Sequence, residues 1–294
     1  MKRRIAALLL AGGAALAVTS TASATVSVVD DSGATIVLGR PAQRIVSLAP
    51  HLTEQLFAVG SGTRIVGTTE FADWPEAARR IPRVGRAHSV DLERVAALRP
   101  DLILIWGTGF PPATQQALRR LGVPLFVSEP GALDSIATSL ERLGTLTGGD
   151  GAGAAAAFRA RIDALHAQHA QRPPVRVFYQ VWSQPLMTLS GKHVISEGLR
   201  VCGARNVFED LQPIAPQVAL EAVIAADPDA IVTAEAGGKP SRAFEAWRKQ
   251  GTLRAVQHDA LITLDADQIN RHGPRLADEL GRLCAALERV RSRR

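Results

Sequence analysis

One segment occurs twice in this chain, and it limits the fold more than any other feature. Residues 92–103 read LERVAALRPDLI and residues 220–231 read LEAVIAADPDAI, with Leu, Glu, Val, Ala, Pro, Asp and Ile coinciding at a single offset of 128 residues. Each copy has the pattern of a short helix, then Pro-Asp, then a buried strand. A βα unit used twice at that separation implies two lobes built on one plan. The repeat also places Glu93 and Glu221 in equivalent positions, each in the first turn of its helix. An acid there is favoured by the helix dipole for its own sake, by ~0.3–1 kcal/mol. As a pair, one per lobe, the two acids also suit a two-fold symmetric partner carrying two matching basic sites.

The rest of the pattern agrees. Residues 25–40 alternate around Asp30-Asp31-Ser32-Gly33 and read as a β-hairpin. Short apolar runs at Ile45–Leu48, Ile65–Gly67, Leu102–Ile105 and Leu125–Val127 are separated by helical spacing over 52–59, 92–98, 114–121 and 136–146. Strand–helix alternation of this kind predicts parallel sheets. GGDGAG (148–153) breaks the pattern, and 154–170 follows as one long helix with Phe158, Ile162 and Leu165 as its apolar stripe, ended by Pro173-Pro174. Strands at 177–181, 230–232 and 261–264 and helices at 195–202 and 275–290 resume the alternation. The expected fold class is therefore α/β, two Rossmann-like lobes joined by one long α-helix. The expected divisions are the hairpin 25–40, an N-terminal lobe 41–147, a linker helix 148–173, a C-terminal lobe 174–290 and a basic tail 291–294. A helical connection is stiff, so the angle between the lobes should vary little.

Charge is informative mainly by its position. The chain has 34 Lys+Arg and 28 Asp+Glu, a net charge of +6 and a pI near 10.1, which suggests nucleic-acid binding until the charges are located. Without residues 1–24 the balance is 31 basic to 28 acidic residues, and without Arg289, Arg291, Arg293 and Arg294 as well it is 27 to 28. The body is close to neutral, so net charge gives no reason to expect a nucleic-acid partner. Residues 1–24 have the three parts of a secretory signal peptide: Lys2-Arg3-Arg4, the apolar run 5–18, and Ala22-Ser23-Ala24, with cleavage expected after Ala24. The apolar run is shorter than the ~20 residues of a spanning helix. The chain is thus expected to be exported. Cys202 and Cys284 are the only cysteines, and an exported chain with two most simply forms one disulfide, buried free thiols being the alternative.

Aromatic residues are scarce, so those in loops are worth locating. Phe71, Trp74, Trp106, Phe110 and Trp182 fall after or between expected strands, on the side where open α/β sheets bind ligands. His51, His88 and His272 also fall in loops and could serve a haem or a metal, which needs three or four converging ligands. No HExxH is present, and no metal site is expected. His166 and His169 have the spacing of a solvated helix face. A secreted α/β hydrolase would need a GxSxG nucleophile turn, which is absent; Glu93 and Glu221 would serve acid–base chemistry only if they met across a cleft.

Several segments resemble a known family: RIVSLAPHLTEQLFAVG (44–60), FADWP (71–75), LERVAALRPDLILIW (92–106), VISEGLRVCGARNVF (194–208), PQVALEAV (216–223) and DQINRHGPR (267–275). Together they are similar to the helix-linked, or class III, periplasmic solute-binding proteins of ABC importers, and within them most similar to the cobalamin (vitamin B12) binders. The resemblance covers residues 43–288. It implies a non-enzymatic periplasmic binding protein, monomeric when free, that needs no cofactor and holds one ligand in a cleft between the lobes, cobalamin or a related corrinoid, with haem or a ferric siderophore as the alternative. It implies ligand contacts at Phe71, Trp74 and Trp106 and along Asp267, Gln268, Ile269, Asn270 and Arg271, to which the position of Trp182 just after a strand adds a fourth aromatic contact. It implies docking of Glu93 and Glu221 on a transmembrane permease dimer, and it independently favours a Cys202–Cys284 bridge. Relatives often carry tryptophan where this chain has Ala87-His88 and Ala215, a gap that Trp182 could fill.

Overall fold

A computed structural model describes residues 25–86 and 89–293. The leader, its cleavage site, Ala87, His88 and Arg294 lie outside the described residues.

The chain opens with the hairpin β1 (Val26–Val29) and β2 (Thr35–Leu38), antiparallel with Val26 opposite Leu38. Its turn is organised by the Asp30 carboxylate, which accepts the Ser32 and Ala34 backbone N–H groups at 2.9 and 3.0 Å and reaches the Val127 N–H at 2.9 Å. Asp31 accepts from Arg142 and from the Glu129 N–H. Two turn aspartates thus fasten the hairpin to the first lobe.

The first lobe contains β3 (Ile45–Ser47), α1 (Pro50–Ala58), β4 (Ile65–Thr68), β5 (Gly85–Arg86), β6 (Ser89–Val90), α2 (Leu92–Ala97), β7 (Leu102–Trp106), α3 (Pro112–Arg119), β8 (Leu125–Ser128) and α4 (Leu133–Thr147). After α5 (Gly151–His169), the second lobe contains β9 (Val175–Gln180), β10 (Trp182–Ser183), β11 (Leu186–Met187), α6 (Val194–Val201), β12 (Ala204–Asn206), α7 (Leu220–Ala226), β13 (Ala230–Glu235), α8 (Ala243–Arg248), α9 (Arg254–Gln257), β14 (Leu261–Asp265), α10 (Ala266–Ile269) and α11 (Leu276–Arg291). The main sheets are parallel, ordered β4-β3-β7-β8 and β12-β9-β13-β14. Taking each lobe's strands in chain order, both sheets read 2-1-3-4, so the sequence repeat reflects one topology used twice.

The coordinates show what the repeated residues do. Val95 and Val223 are fully buried under their sheets. The repeated aspartate pins the start of the neighbouring strand: Asp101 accepts the Gln43 and Arg44 N–H groups, and Asp229 accepts the Arg176 N–H, all at 2.8 Å. The arginine so positioned returns to the end of the repeated helix. Arg44 donates to the Leu98 and Arg99 carbonyls, Arg176 to those of Ala226 and Asp227. Arg99 and Asp227, equivalent in the repeat, both have left-handed φ values of 46° and 39°. That conformation costs a non-glycine residue about 1 kcal/mol, and the arginine satisfies carbonyls the helix end would otherwise leave open.

The glycine-rich break is a close helix crossing. A Cβ on Gly144 would stand 2.4 Å from the Gly151 Cα, and one on Gly151 2.5 Å from the Leu140 carbonyl, so α4 and α5 touch backbone to backbone. Gly151 and Gly153 belong to α5 itself, which is capped by Asp150 accepting the Gly153 N–H. The apolar stripe is as expected: Phe158 is buried, and Ile162 and Leu165 pack on a core that also takes in Leu140 of α4, Leu199 of α6 and Leu280 of α11. Arg159 pairs with Asp134 and Glu141 of α4, and Arg161 with Asp278 of α11 at 2.8 Å. The connecting helix thus packs on elements of both lobes. His169 departs from the solvated face expected for it. It is buried, with Nδ1 2.8 Å from Glu288, because α11 covers the end of the helix.

Cys202, capping α6, is disulfide-bonded to Cys284 of α11, 82 positions away.

Candidate functional site

The carboxyl ends of both parallel sheets carry the aromatic residues. Phe71 and Trp74 follow β4, Trp106 ends β7, and Trp182 opens the short β10 just after β9. All four are exposed, at 67%, 49%, 38% and 61%, although aromatic rings of this size gain ~1.5–3 kcal/mol when buried. Phe71 sits at φ +67°, a left-handed backbone that holds its ring outward at a cost. The others are braced: the Trp106 indole donates to Glu129 at 3.1 Å, that of Trp182 to the Gln184 carbonyl at 2.9 Å, and the Arg275 guanidinium lies 4.7 Å from the Trp74 ring centre. Four exposed aromatic surfaces, three of them braced in orientation, suit a flat ligand. Phe110 does not join them. It is buried in the core of the first lobe, in one cluster with Ile105 of β7, Leu118 of α3 and Val127 of β8.

Charged groups converge where the lobes meet. Arg271 donates to Asp73 at 2.7 Å and to Glu54 at 3.3 Å, both from the first lobe, and to Asp267 of its own lobe at 2.8 Å. Arg275 donates to both Glu54 oxygens, at 2.9 and 2.5 Å. Three carboxylates thus enclose two guanidiniums across the lobe boundary. Burial opposes ionisation of Asp73, but the Arg271 hydrogen bond and charge prevail and hold its carboxyl below the usual range. Burial likewise acts against the Arg271 cation, and Asp73, Asp267 and Glu54 together raise its pKa above the ordinary arginine value. In the other direction, Glu197 of α6 accepts the Leu133 N–H of α4 at 2.7 Å. Each lobe therefore reaches into the other through a glutamate on the helix after its first strand.

Within the 267–271 stretch, the Ile269 side chain is completely buried and anchors α10 to the core, which leaves any ligand contact to its neighbours. Gln268 donates to Asp265 at 3.0 Å, and Asn270 is exposed at the end of the helix.

The histidines form a neutral group beside the ion cluster. His51 meets the Trp106 ring edge-on at 6.2 Å, and His272 faces His193 at 5.6 Å. Burial, with His272 nearby, lowers the His51 pKa to about 3; burial, with His193 nearby, lowers that of His272 to about 4. Among the described residues no group of three or more His, Cys, Asp or Glu side chains is placed to hold a metal ion.

Glu93 and Glu221 are exposed in the first turns of α2 and α7, and neither makes a side-chain hydrogen bond or ion pair with a described residue. A helix leading into a parallel strand starts at the carboxyl edge of the sheet. Both acids therefore stand on the aromatic side of the molecule, one per lobe.

The sequence profile described as periplasmic binding protein matches residues 45–268. The chain belongs to the periplasmic binding protein family. Periplasmic binding proteins similar to it include the vitamin B12-binding protein of Vibrio cholerae serotype O1 (strain ATCC 39541 / Classical Ogawa 395 / O395), 38% identical over 250 residues covering 84% of this chain and 90% of that protein. The crystal structure of the periplasmic vitamin B12-binding protein of Vibrio cholerae superposes with a TM-score of 0.77 at 37% identity, covering 85% of this chain and 98% of that one. A periplasmic haem-binding protein from Pseudomonas aeruginosa gives 0.72 at 27% identity, covering 83% and 92%.

Sequence reasoning missed Glu54, Asp73 and Glu129 as organisers of this periplasmic binding protein's site. Glu54 and Asp73 lie inside family-like segments, yet nothing local marks them, because their partners are some 200 positions away.

Proposed function

We propose that this periplasmic binding protein captures cobalamin or a related corrinoid and delivers it to an inner-membrane ABC importer. The observation that carries this reading is the 38% identity with a vitamin B12-binding protein over 84% of the chain. The exposed aromatics support it. A corrinoid offers broad apolar faces and an amide-rich edge, which match rings on both lobes and a polar rim. Phe71, Trp74, Trp106 and Trp182 are the face contacts in this reading, and Asp267, Gln268, Asn270 and Arg271 supply the edge. The protein does this as a binder, without chemistry of its own, and works as a monomer after export and cleavage behind Ala24. Residues 41–147 and 174–290 act as the two capturing lobes. Glu93 and Glu221 dock on basic sites of a permease dimer.

Calorimetric titration with cyanocobalamin, cobinamide and haemin tests this. Cyanocobalamin should bind, and Phe71→Ala should weaken it about tenfold or more. Binding of haemin with no heat from either corrinoid would reverse the assignment. Glu93→Ala combined with Glu221→Ala should reduce stimulation of the importer's ATPase and leave cyanocobalamin affinity within about twofold; a large loss of ligand affinity would remove the docking role.

A further inference from the structure

The two docking acids have different surroundings. In the first lobe Glu93 is flanked by charge: exposed Asp91 caps α2 and pairs with exposed Arg94 at 3.6 Å, and Leu92 turns inward onto the core. In the second lobe Leu220, the repeat partner of Leu92, is 40% exposed immediately before Glu221. It lines a cavity of about 430 Å³ whose apolar part is Leu186, Leu220, Ala243, Ala246 and Trp247 and whose polar part is Gln180, Ser183, Gln184, Arg242 and Gln250. One wall is the β10–β11 turn, held to the approach of α7 by the Val218 N–H on the Leu186 carbonyl. The other is α8, fixed by the Trp247 indole donating to buried Gln180 at 2.5 Å. Gln180 also donates to Ser183 at 2.8 Å and lines the neighbouring cavity beneath Trp182, so these residues partition the two spaces.

We infer that this cavity is a socket for an apolar side chain of the importer's permease, so that the second lobe docks by insertion as well as by charge. The inference rests on the docking role proposed for Glu221. An unpaired carboxylate beside an apolar recess fits a partner segment that presents a cation next to an apolar residue. Interface energy concentrates where a side chain fills a recess and is desolvated there. A symmetric permease would then meet two unlike lobes. Its contact with the first lobe is ionic and weakens with salt, and its contact with the second keeps an apolar share that salt does not screen.

The test measures binding of the full mature chain to the importer reconstituted in nanodiscs, across a salt series, with cyanocobalamin affinity measured alongside. Ala246→Trp, an exposed helix position, fills the socket without changing charge; Leu220→Gln removes its apolar rim and serves if the first variant folds poorly. Each should weaken docking about tenfold, with unchanged salt dependence and unchanged cyanocobalamin affinity. Glu93→Gln and Glu221→Gln should instead flatten the salt dependence. If the socket variants dock normally and the glutamate variants do not, the socket is wrong and the docking role of the acids stands. If all four dock normally, both fall. If Ala246→Trp weakens cyanocobalamin binding, the cavity belongs to the ligand site and the inference is overturned.

Discussion

Arg271 shows how much one side chain can hold. It is almost wholly enclosed, and three carboxylates from two lobes depend on it. Breaking a buried ion pair costs ~3–5 kcal/mol, but Asp73 and Asp267 are half exposed and buried Glu54 would keep Arg275. Arg271→Ala should therefore lower unfolding stability by only about 1–3 kcal/mol in urea titration, and Glu54→Gln, which strands both guanidiniums, by ~3–5 kcal/mol. A change below about 1 kcal/mol would mean that water already satisfies the cluster. The histidines beside it predict a pH response. Folded His51 and His272 titrate near 3 and 4, below the ordinary 6.5 of the unfolded chain. Their contribution is complete above about pH 6.5 and is lost as pH falls, since the unfolded chain takes up protons that the folded one refuses. At pH 5 the loss is on the order of 2 kcal/mol per histidine. Urea unfolding at pH 7 and pH 5 should show it, with a smaller difference in His51→Gln.

At the level of elements, the crossing of α4 and α5 and the disulfide between α6 and α11 bear most on the design. Gly151 has no room for a Cβ, so Gly151→Val must push the linker helix off α4. Overpacking of this kind costs ~1–3 kcal/mol, and thermal unfolding should fall by several degrees. Cys284→Ser should cost ~2–5 kcal/mol, because the bridge closes a long loop in the unfolded chain. Helix and strand positions were readable from apolar spacing, which is local. α8, α9 and α10 were not: they are four to six residues long and too short to show a period. The glycine break was readable as an interruption but not as a contact, because a glycine's spacing says nothing about which backbone it will meet.

Across the whole molecule, one core runs through both lobes and the connecting helix, and two glutamates fasten each lobe to the other. That arrangement opposes hinge motion. Structures with and without cyanocobalamin should superpose with Cα deviations of about 1 Å or less; a lobe rotation of many degrees would show that the packed helix does not govern the angle.

The repeat of residues 92–103 and 220–231 was enough to require two lobes of one topology, because side-chain periodicity and strand-start chemistry are properties of short stretches. The equivalence of Glu93 and Glu221 in the two copies was legible for the same reason. Tertiary structure alone decided that Phe110 and Ile269 are core, that His169 is covered, and that Arg271 belongs first to an ion cluster spanning the lobes. Burial and long-range charge pairing depend on which distant segments are packed together, and no local spacing encodes that.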